Sequence, residues 1–233
     1  MWIISKIPSN DNCMLNMSHT VVSSYIPFPN IYWWLQVQGA DALLLDGAEH
    51  FEKMTYRNKY FITGSNGGIQ LSIPLLQGRE QRTPMLQVMI DNKQRWQVQH
   101  WRTLVSVYKR TPYFEHYEPA LEKLYTQRFD SLIDFNLASI KWLHKELRTG
   151  FSISTTAIFQ KEYADATDLR RIMKPGTEKQ PLEGAEPYYQ VFADRVGFLP
   201  NLSMLDLLFA EGPHALQWLK SNAALINQWV AKK

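Results

Sequence analysis

The segment "TVVSSYIPFPNIYWWLQVQ" constrains the fold more than any other stretch of this 233-residue chain. A β-branched run from Thr20 to Ser23 favours a strand. Pro27 and Pro29 forbid its continuation, because proline fixes φ and has no N–H to give to a ladder. Beyond them Ile31, Trp34 and Leu35 recur at helical spacing. Strand, proline loop and helix in that order predict an α/β unit. In open α/β sheets such junctions bind ligands, because helix N-termini offer free N–H groups. Gly39 ends the helix, and "ALLLD" reads as a second short buried strand that delivers Asp46 to its end.

The next stretch, "HFEKMTYRNKYFITGSNGGIQLSIP", passes from a crowd of titratable side chains into a hairpin. Apolar residues alternate or run together from Tyr56 to Thr63, "GSNGG" tolerates positive φ, and "IQLSIPL" resumes strict alternation as far as Pro74. A short strand around Gln87–Ile90 is expected after the polar loop "LQGREQRTP". The middle of the chain reads as helical. Asp91 or Asn92 can cap a helix whose Trp96, His100, Leu104 and Tyr108 line one stripe. Pro119 suits the first turn of the following helix, which carries Leu121, Leu124 and Tyr125. A third helix begins near Asp130, buries Leu132, Phe135, Ile140 and Leu143, and is capped by Gly150. "FSISTTAIF" predicts one strand, and Ala164 to Gly184, without periodicity, predicts a long loop. "NLSMLDLLFAEGP" has a capping-box form, with Ser203 and Asp206 as reciprocal partners and Gly212 and Pro213 as the stop. A last helix, "HALQWLKSNAALINQWVA", follows. The expected class is therefore α/β: a small mixed sheet with a β-hairpin, packed by several helices concentrated in the middle and C-terminal parts. Residues 1–19 read as a poorly patterned extension, with Met14 or Met17 as alternative starts, and residues 20–233 as a single domain.

Charge narrows the choice of partner. Twenty-five basic against 22 acidic side chains leave only +3, far from the basic stripe of a nucleic-acid binder. No apolar run approaches the roughly 20 residues that span a bilayer, and the N-terminal apolar start is broken by Lys6 and Pro8 before a signal peptide can develop. The lone Cys13 cannot close an internal disulfide, which fits a reducing compartment. A cytoplasmic protein with no nucleic-acid partner and no membrane span is the expectation. No CxxC, HExxH, Walker loop, Rossmann fingerprint or nucleophile elbow occurs, so no metal site is expected and no cofactor is named.

Three constellations carry chemistry. Arg57 and Asn58 of "YRNK" offer a planar fork of donors beside a donor–acceptor amide, suited to a carboxylate, phosphate or hydroxyl pair. The competing reading is a salt bridge from Arg57 to Glu49 or Glu52. His50, Glu52 and Lys53 could form a general-base pair if the segment is extended, and a solvated turn if it is not. Trp96 and His100 stand one helical turn apart, with Tyr108 and the "PYF" turn able to complete an aromatic recess; a core histidine is the alternative. Asn201, in "LPN", is an amide that the helix cap does not account for.

In this order, the proline turn entering a helix, "HFEKMTYRN", "NGGIQLSIP", "IDNKQRWQVQHWRTLVSVYKRTPYFEHY", "FDSLIDFN", "PYYQVF" and "GFLPNLSMLDLLFAEGP" resemble the WbqC-like protein family, in a Bacteroidetes-type form, over about residues 20 to 215. The resemblance implies a role in cell-surface polysaccharide biosynthesis such as O-antigen, with a transferase that modifies an amino sugar by an acyl or glycyl group as the expected activity. It brings no established catalytic residue. It raises Arg57, Asn58, Lys53, Trp96, Tyr108 and Tyr32 to expected substrate-binding residues and His100 to the expected general base. A nucleotide-linked sugar or acyl donor is the implied ligand. The alternative is a non-catalytic scaffold in envelope biogenesis that docks through exposed aromatics of "NIYWW" or "PYFEHY".

Overall fold

The computed structural model describes residues 19–77, 82–171, 176 and 181–231, the last five of these as backbone alone. All but the last residue of the 1–19 extension, Cys13 included, lies outside the described residues, as do parts of the polar loop after the hairpin and of the 164–184 segment.

The first unit forms as the prolines require. Strand β1 (Thr20–Ser24) runs into the Pro-Phe-Pro loop, and helix α1 (Ile31–Val37) follows. Asn30 caps it by accepting from the Trp33 N–H at 2.9 Å. The chain returns as β2 (Ala42–Asp46), parallel to β1 with Ser24 opposite Asp46. Strand β5 (Ser152–Thr156) adds parallel to β2, and β6 (Ala166–Asp168) adds parallel to the free side of β1. The order β5-β2-β1-β6 puts the most apolar strands in the centre, where Val21, Val22, Leu43 and Leu45 are fully buried.

The expected hairpin forms as β3 (Lys59–Ile62) with β4 (Ile69–Ser72), an antiparallel pair that stands beside the four-stranded parallel sheet. Its turn closes through Gly67, at φ 112°, whose N–H reaches the Gly64 carbonyl at 3.2 Å. Residues 85–87 form a short 3-10 turn, and Met89 and Ile90 make only isolated bridges, so the strand expected at 87–90 does not form. Strand β6 falls inside the segment expected as loop. Three residues are too few for a period to show.

Helices α2 (Trp96–Tyr108), α3 (Phe114–Thr126) and α4 (Leu132–Leu147) make the middle layer. Helix α2 starts later than the cap signal suggested, because Asp91 is used in a turn, accepting from the Lys93 N–H at 3.1 Å. Pro119 lies inside α3 rather than in its first turn; burial of Phe114, Tyr117, Leu121 and Tyr125 offsets the lost backbone bond. Arg148, at φ 54°, takes the left-handed cap of α4 that Gly150 was expected to supply. The short α5 (Ala193–Val196), then α6 (Met204–Glu211) and α7 (Ala215–Ala231) complete the chain, with α7 packed on α1. No helix among the described residues is long and apolar enough to cross a membrane.

Gly212 joins α6 to a 3-10 turn at φ 53°, and a Cβ built there would meet the Tyr113 ring at 2.5 Å. Tyr113 cannot yield easily, since its N–H is fixed to the Phe209 carbonyl at 3.1 Å. Gly212→Ala should therefore cost about 2–3 kcal/mol through strain and overpacking. The melting temperature of the variant should fall by roughly 5–10 °C for a chain of this size, and an unchanged value would show that the junction relaxes freely.

Candidate functional site

Parallel pairing brings Ser24, Asp46 and Thr156 into one row at the carboxyl edge of the sheet. Asp168 ends β6 beside Val22, and Arg170 follows it. Open α/β sheets bind ligands at this edge. Here it carries a chain of buried charges. The Asp46 carboxylate accepts from Ala48 N–H at 2.9 Å and Glu49 N–H at 3.1 Å through one oxygen, and from Arg170 at 2.6 Å through the other. That turn aims Glu49 at Arg57, whose Nε and Nη2 form a fork on the Glu49 carboxylate at 3.2 and 2.6 Å. Burial raises the Glu49 carboxyl and the Arg57 guanidinium opposes it. Asn136, from α4, fixes the backbone on both sides by donating to the carbonyls of Tyr25 at 3.1 Å and Arg57 at 2.8 Å.

The two guanidiniums at this edge differ in what they have left to give. Arg170 spends all five N–H groups: Nε and Nη2 on Asp168, Nη1 on Asp46 and the Gln160 carbonyl, and Nη2 again on the Lys161 carbonyl. Burial opposes ionisation of Asp168, and the Arg170 hydrogen bonds and charge outweigh it, leaving that carboxyl below its ordinary range. The Tyr163 ring stacks on the guanidinium at 4.9 Å. Arg57 spends three N–H groups, the third on a 3.4 Å contact with Glu52, a mostly exposed side chain. Two donors of a buried guanidinium remain without a partner among the described residues. Both arginines line a narrow recess with Ser23, Ser24, Thr55 and Tyr56, its enclosed space only about 10 Å³, room for about one water.

A second narrow recess, with about 10 Å³ of enclosed space, lies under the proline loop, lined by Phe28, Asn30, Lys59, Tyr60 and Asn201 among others. Ile26 and Tyr56 line both. A wider open groove of about 340 Å³ runs between the hairpin tip and α2, and its one charged lining residue, Arg102, is exposed. The expected N–H donors at the start of α1 are consumed. Ile31 N–H bonds the Leu202 carbonyl, Tyr32 N–H the Asn201 side-chain oxygen, and Trp33 N–H the Asn30 side chain. Asn201, unexplained from sequence, is thus a partner of that helix.

The expected site residues separate. Arg57 lies at the edge recess. Asn58 donates to the Ile73 carbonyl at 3.0 Å and accepts back from the Ile73 N–H, extending the hairpin pairing. Lys53 is exposed in the loop before the hairpin. Glu52 of the expected His50, Glu52 and Lys53 group pairs with Arg57 instead, and His50 is exposed. Tyr32, Trp96 and Tyr108 are core residues. The aromatics of "NIYWW" are buried, as are Phe114 and Tyr117 of "PYFEHY", which removes the surface through which a scaffold was expected to dock.

His100 lines neither recess. Its Nε2 faces the Ser72 carbonyl at 3.3 Å, and since a carbonyl only accepts, the proton sits on Nε2. Nδ1 then accepts from the Tyr60 hydroxyl at 3.2 Å, and Tyr60 accepts from Tyr125 at 2.7 Å. Edge contacts from Trp96 and Tyr60 close the ring in. Burial lowers its pKa to about 4, against a smaller raising effect of the Ser72 carbonyl. Asp206 is the opposite case. It does not reach back to Ser203 as a capping box requires; its carboxylate accepts from Tyr108 at 2.6 Å, Tyr188 at 2.7 Å and Gln190 at 2.8 Å. Burial raises it to about 6.

Sequence reasoning missed Arg170, Asp168 and Lys59. Asp46 at the end of "ALLLD" was the one visible signal of the edge. Among the described residues, no group of three or more His, Cys, Asp or Glu is placed to hold a metal ion.

The two buried groups titrate in opposite senses. His100, depressed from 6.5 to about 4, contributes stability that is full above pH 6.5 and lost as the pH falls through about 4. Asp206, raised from 3.8 to about 6, contributes stability present below pH 3.8 and lost as the pH rises through about 6. Urea unfolding at pH 7, 5 and 4 should show a shallower acid decline in His100→Gln, by up to roughly 3 kcal/mol, and a steeper one in Asp206→Asn. Parallel pH curves for parent and both variants would contradict these placements.

Residues 23–175 match the WbqC-like protein family. No curated protein and no solved structure matches the chain.

Proposed function

The chain belongs to the WbqC-like protein family, and from that premise we propose that it is a transferase acting on a small anionic precursor of the cell surface, an amino sugar carried as a phosphate or nucleotide ester. The substrate lies at the carboxyl edge of the parallel sheet. One observation carries this reading: of the two arginines in the edge recess, Arg57 retains two N–H donors while Arg170 retains none. Arg170 then builds the wall, and Arg57, held flat by its fork on Glu49, presents donors to an anionic or hydroxyl-rich group. Preorganisation by Glu49 reduces the ordering cost of binding. Glu52 competes for the same guanidinium from the solvent side, so a ligand oxygen displaces a weak contact rather than a strong one. His100, closed into the core and facing Ser72 and Tyr60, serves the fold in this account.

Thermal-shift measurements against nucleotide sugars, sugar 1-phosphates, acyl donors and free nucleotides test the reading. A ligand at a hundred times its Kd adds about 2.7 kcal/mol to stability, a rise of roughly 5–10 °C here. Arg57→Lys, which loses the fork, should weaken binding at least about tenfold, while Glu52→Gln, which removes the competing charge, should strengthen it by about threefold. His100→Gln should leave affinity unchanged. No response to any compound, or a response that neither Arg57→Lys nor Glu52→Gln alters, would sink the proposal.

A further inference from the structure

We propose that the open groove between the hairpin turn and α2 binds a monosaccharide bearing one anionic group, a phosphoryl or a carboxylate. Size is the first reason. The groove holds about 340 Å³, within the range of small-molecule sites, whereas each narrow recess has room for about one water. Its lining then divides by chemistry. Val107 is buried, and Ile69 and the Phe192 ring are partly buried against the core, which makes an apolar floor from α2, the hairpin and the start of α5. Ser65, Thr103 and Ser106 add three hydroxyls around it. The Thr103 hydroxyl donates to the Gln99 carbonyl at 2.8 Å and so offers its acceptor side, while the Ser65 and Ser106 hydroxyls have no partner among the described residues. A pyranose ring has the complementary division: a C–H face that packs on an aromatic and aliphatic surface, and hydroxyls at its edge that both donate and accept.

Arg102 supplies the charge, and nothing among the described residues neutralises it. A helical arginine pairs with a carboxylate three or four residues away. Helix α2 has no acidic residue from Trp96 to Tyr108, and Val98, Gln99, Val105 and Ser106 occupy those positions around Arg102. The hairpin turn opposite, "GSNGG", carries no charge, and Asp194, two residues beyond Phe192, makes no ion pair. Lys109, seven residues along the same stripe of α2, is exposed and equally unpaired, so the field at this end of the groove is positive. One guanidinium on the lining matches one anionic group and falls short of a diphosphate. None of the lining residues is shared with the edge recess at Arg57, so this site stands whether or not the transferase reading does.

The test is a titration of ¹⁵N-labelled protein with glucose 1-phosphate, glucuronate, glucose, inorganic phosphate and AMP at matched ionic strength, read from the backbone amides of Ser65, Ile69, Thr103, Ser106 and Val107. Those amides should move and saturate with glucose 1-phosphate, glucuronate or both. A response to the first alone marks a phosphoryl sugar, and to the second alone a sugar acid. Glucose should bind about fivefold more weakly, the worth of one exposed ion pair, and Arg102→Gln should bring the anionic sugar down to the level of glucose. Phe192→Leu, which keeps the apolar bulk and loses the ring, should weaken glucose and the anionic sugar alike by about threefold. Arg57→Lys should change none of these affinities. Amides that stay still with both anionic sugars would overturn the inference. So would inorganic phosphate or AMP binding as tightly as the anionic sugar, affinity that neither Arg102→Gln nor Phe192→Leu alters, or a response lost in Arg57→Lys and kept in Arg102→Gln, which would return the ligand to the edge recess.

Discussion

Asp46 holds the functional edge together. It ends β2, fully buried, and each of its oxygens does a different job: one closes the turn that aims Glu49, and the other accepts from Arg170 beyond β6, across β1. A single carboxylate thereby ties three strands and two loops into one charged network running from Asp168 to Arg57. Buried ions pay heavily for lost water, and removing one partner of such a pair costs about 3–5 kcal/mol because the other is left uncompensated. Full satisfaction of every donor on Arg170 is what makes the arrangement tolerable. The same demand, left incomplete at Arg57, is what makes that residue available to a ligand.

Behind this edge the core works as a second, mostly apolar frame. Phe28 sits among Tyr60, Tyr125, Phe135 and Trp142, so the proline loop, the hairpin and helices α3 and α4 are set against one another by aromatic edges. Polar atoms inside it are ordered in one direction, from Tyr125 to Tyr60 to His100 to the Ser72 carbonyl. A neutral histidine completes that chain; a protonated one would break it. Asp206 plays the equivalent part between α2, α6 and the 188–190 segment.

Much of the frame was legible in the sequence. The proline pair forced the β1–α1 junction, the alternation around "GSNGG" forced the hairpin, and the stripes of α2 and α4 named their buried faces. Strand β6 was not legible, because a three-residue strand has no period, and with it went Arg170 and Asp168. Arg57 was legible as a fork, and the sequence offered both of its partners, Glu49 and Glu52; only the Asp46 turn decides that Glu49 takes the strong bond. His100 was ambiguous because a stripe of Trp96, His100 and Tyr108 is the same pattern in a pocket wall and in a core. Asp206 matched a capping box by spacing, and long-range partners at positions 108, 188 and 190 took its oxygens instead.

The most direct test of the account is to follow the arginine Nε–H resonances while a sugar 1-phosphate is titrated into the protein. The account predicts that the Arg57 signal shifts and saturates, while that of Arg170, whose donors are all committed, stays in place. A shift of Arg170 alone, or saturating binding with Arg57 unmoved, would contradict it and place the ligand elsewhere on the molecule.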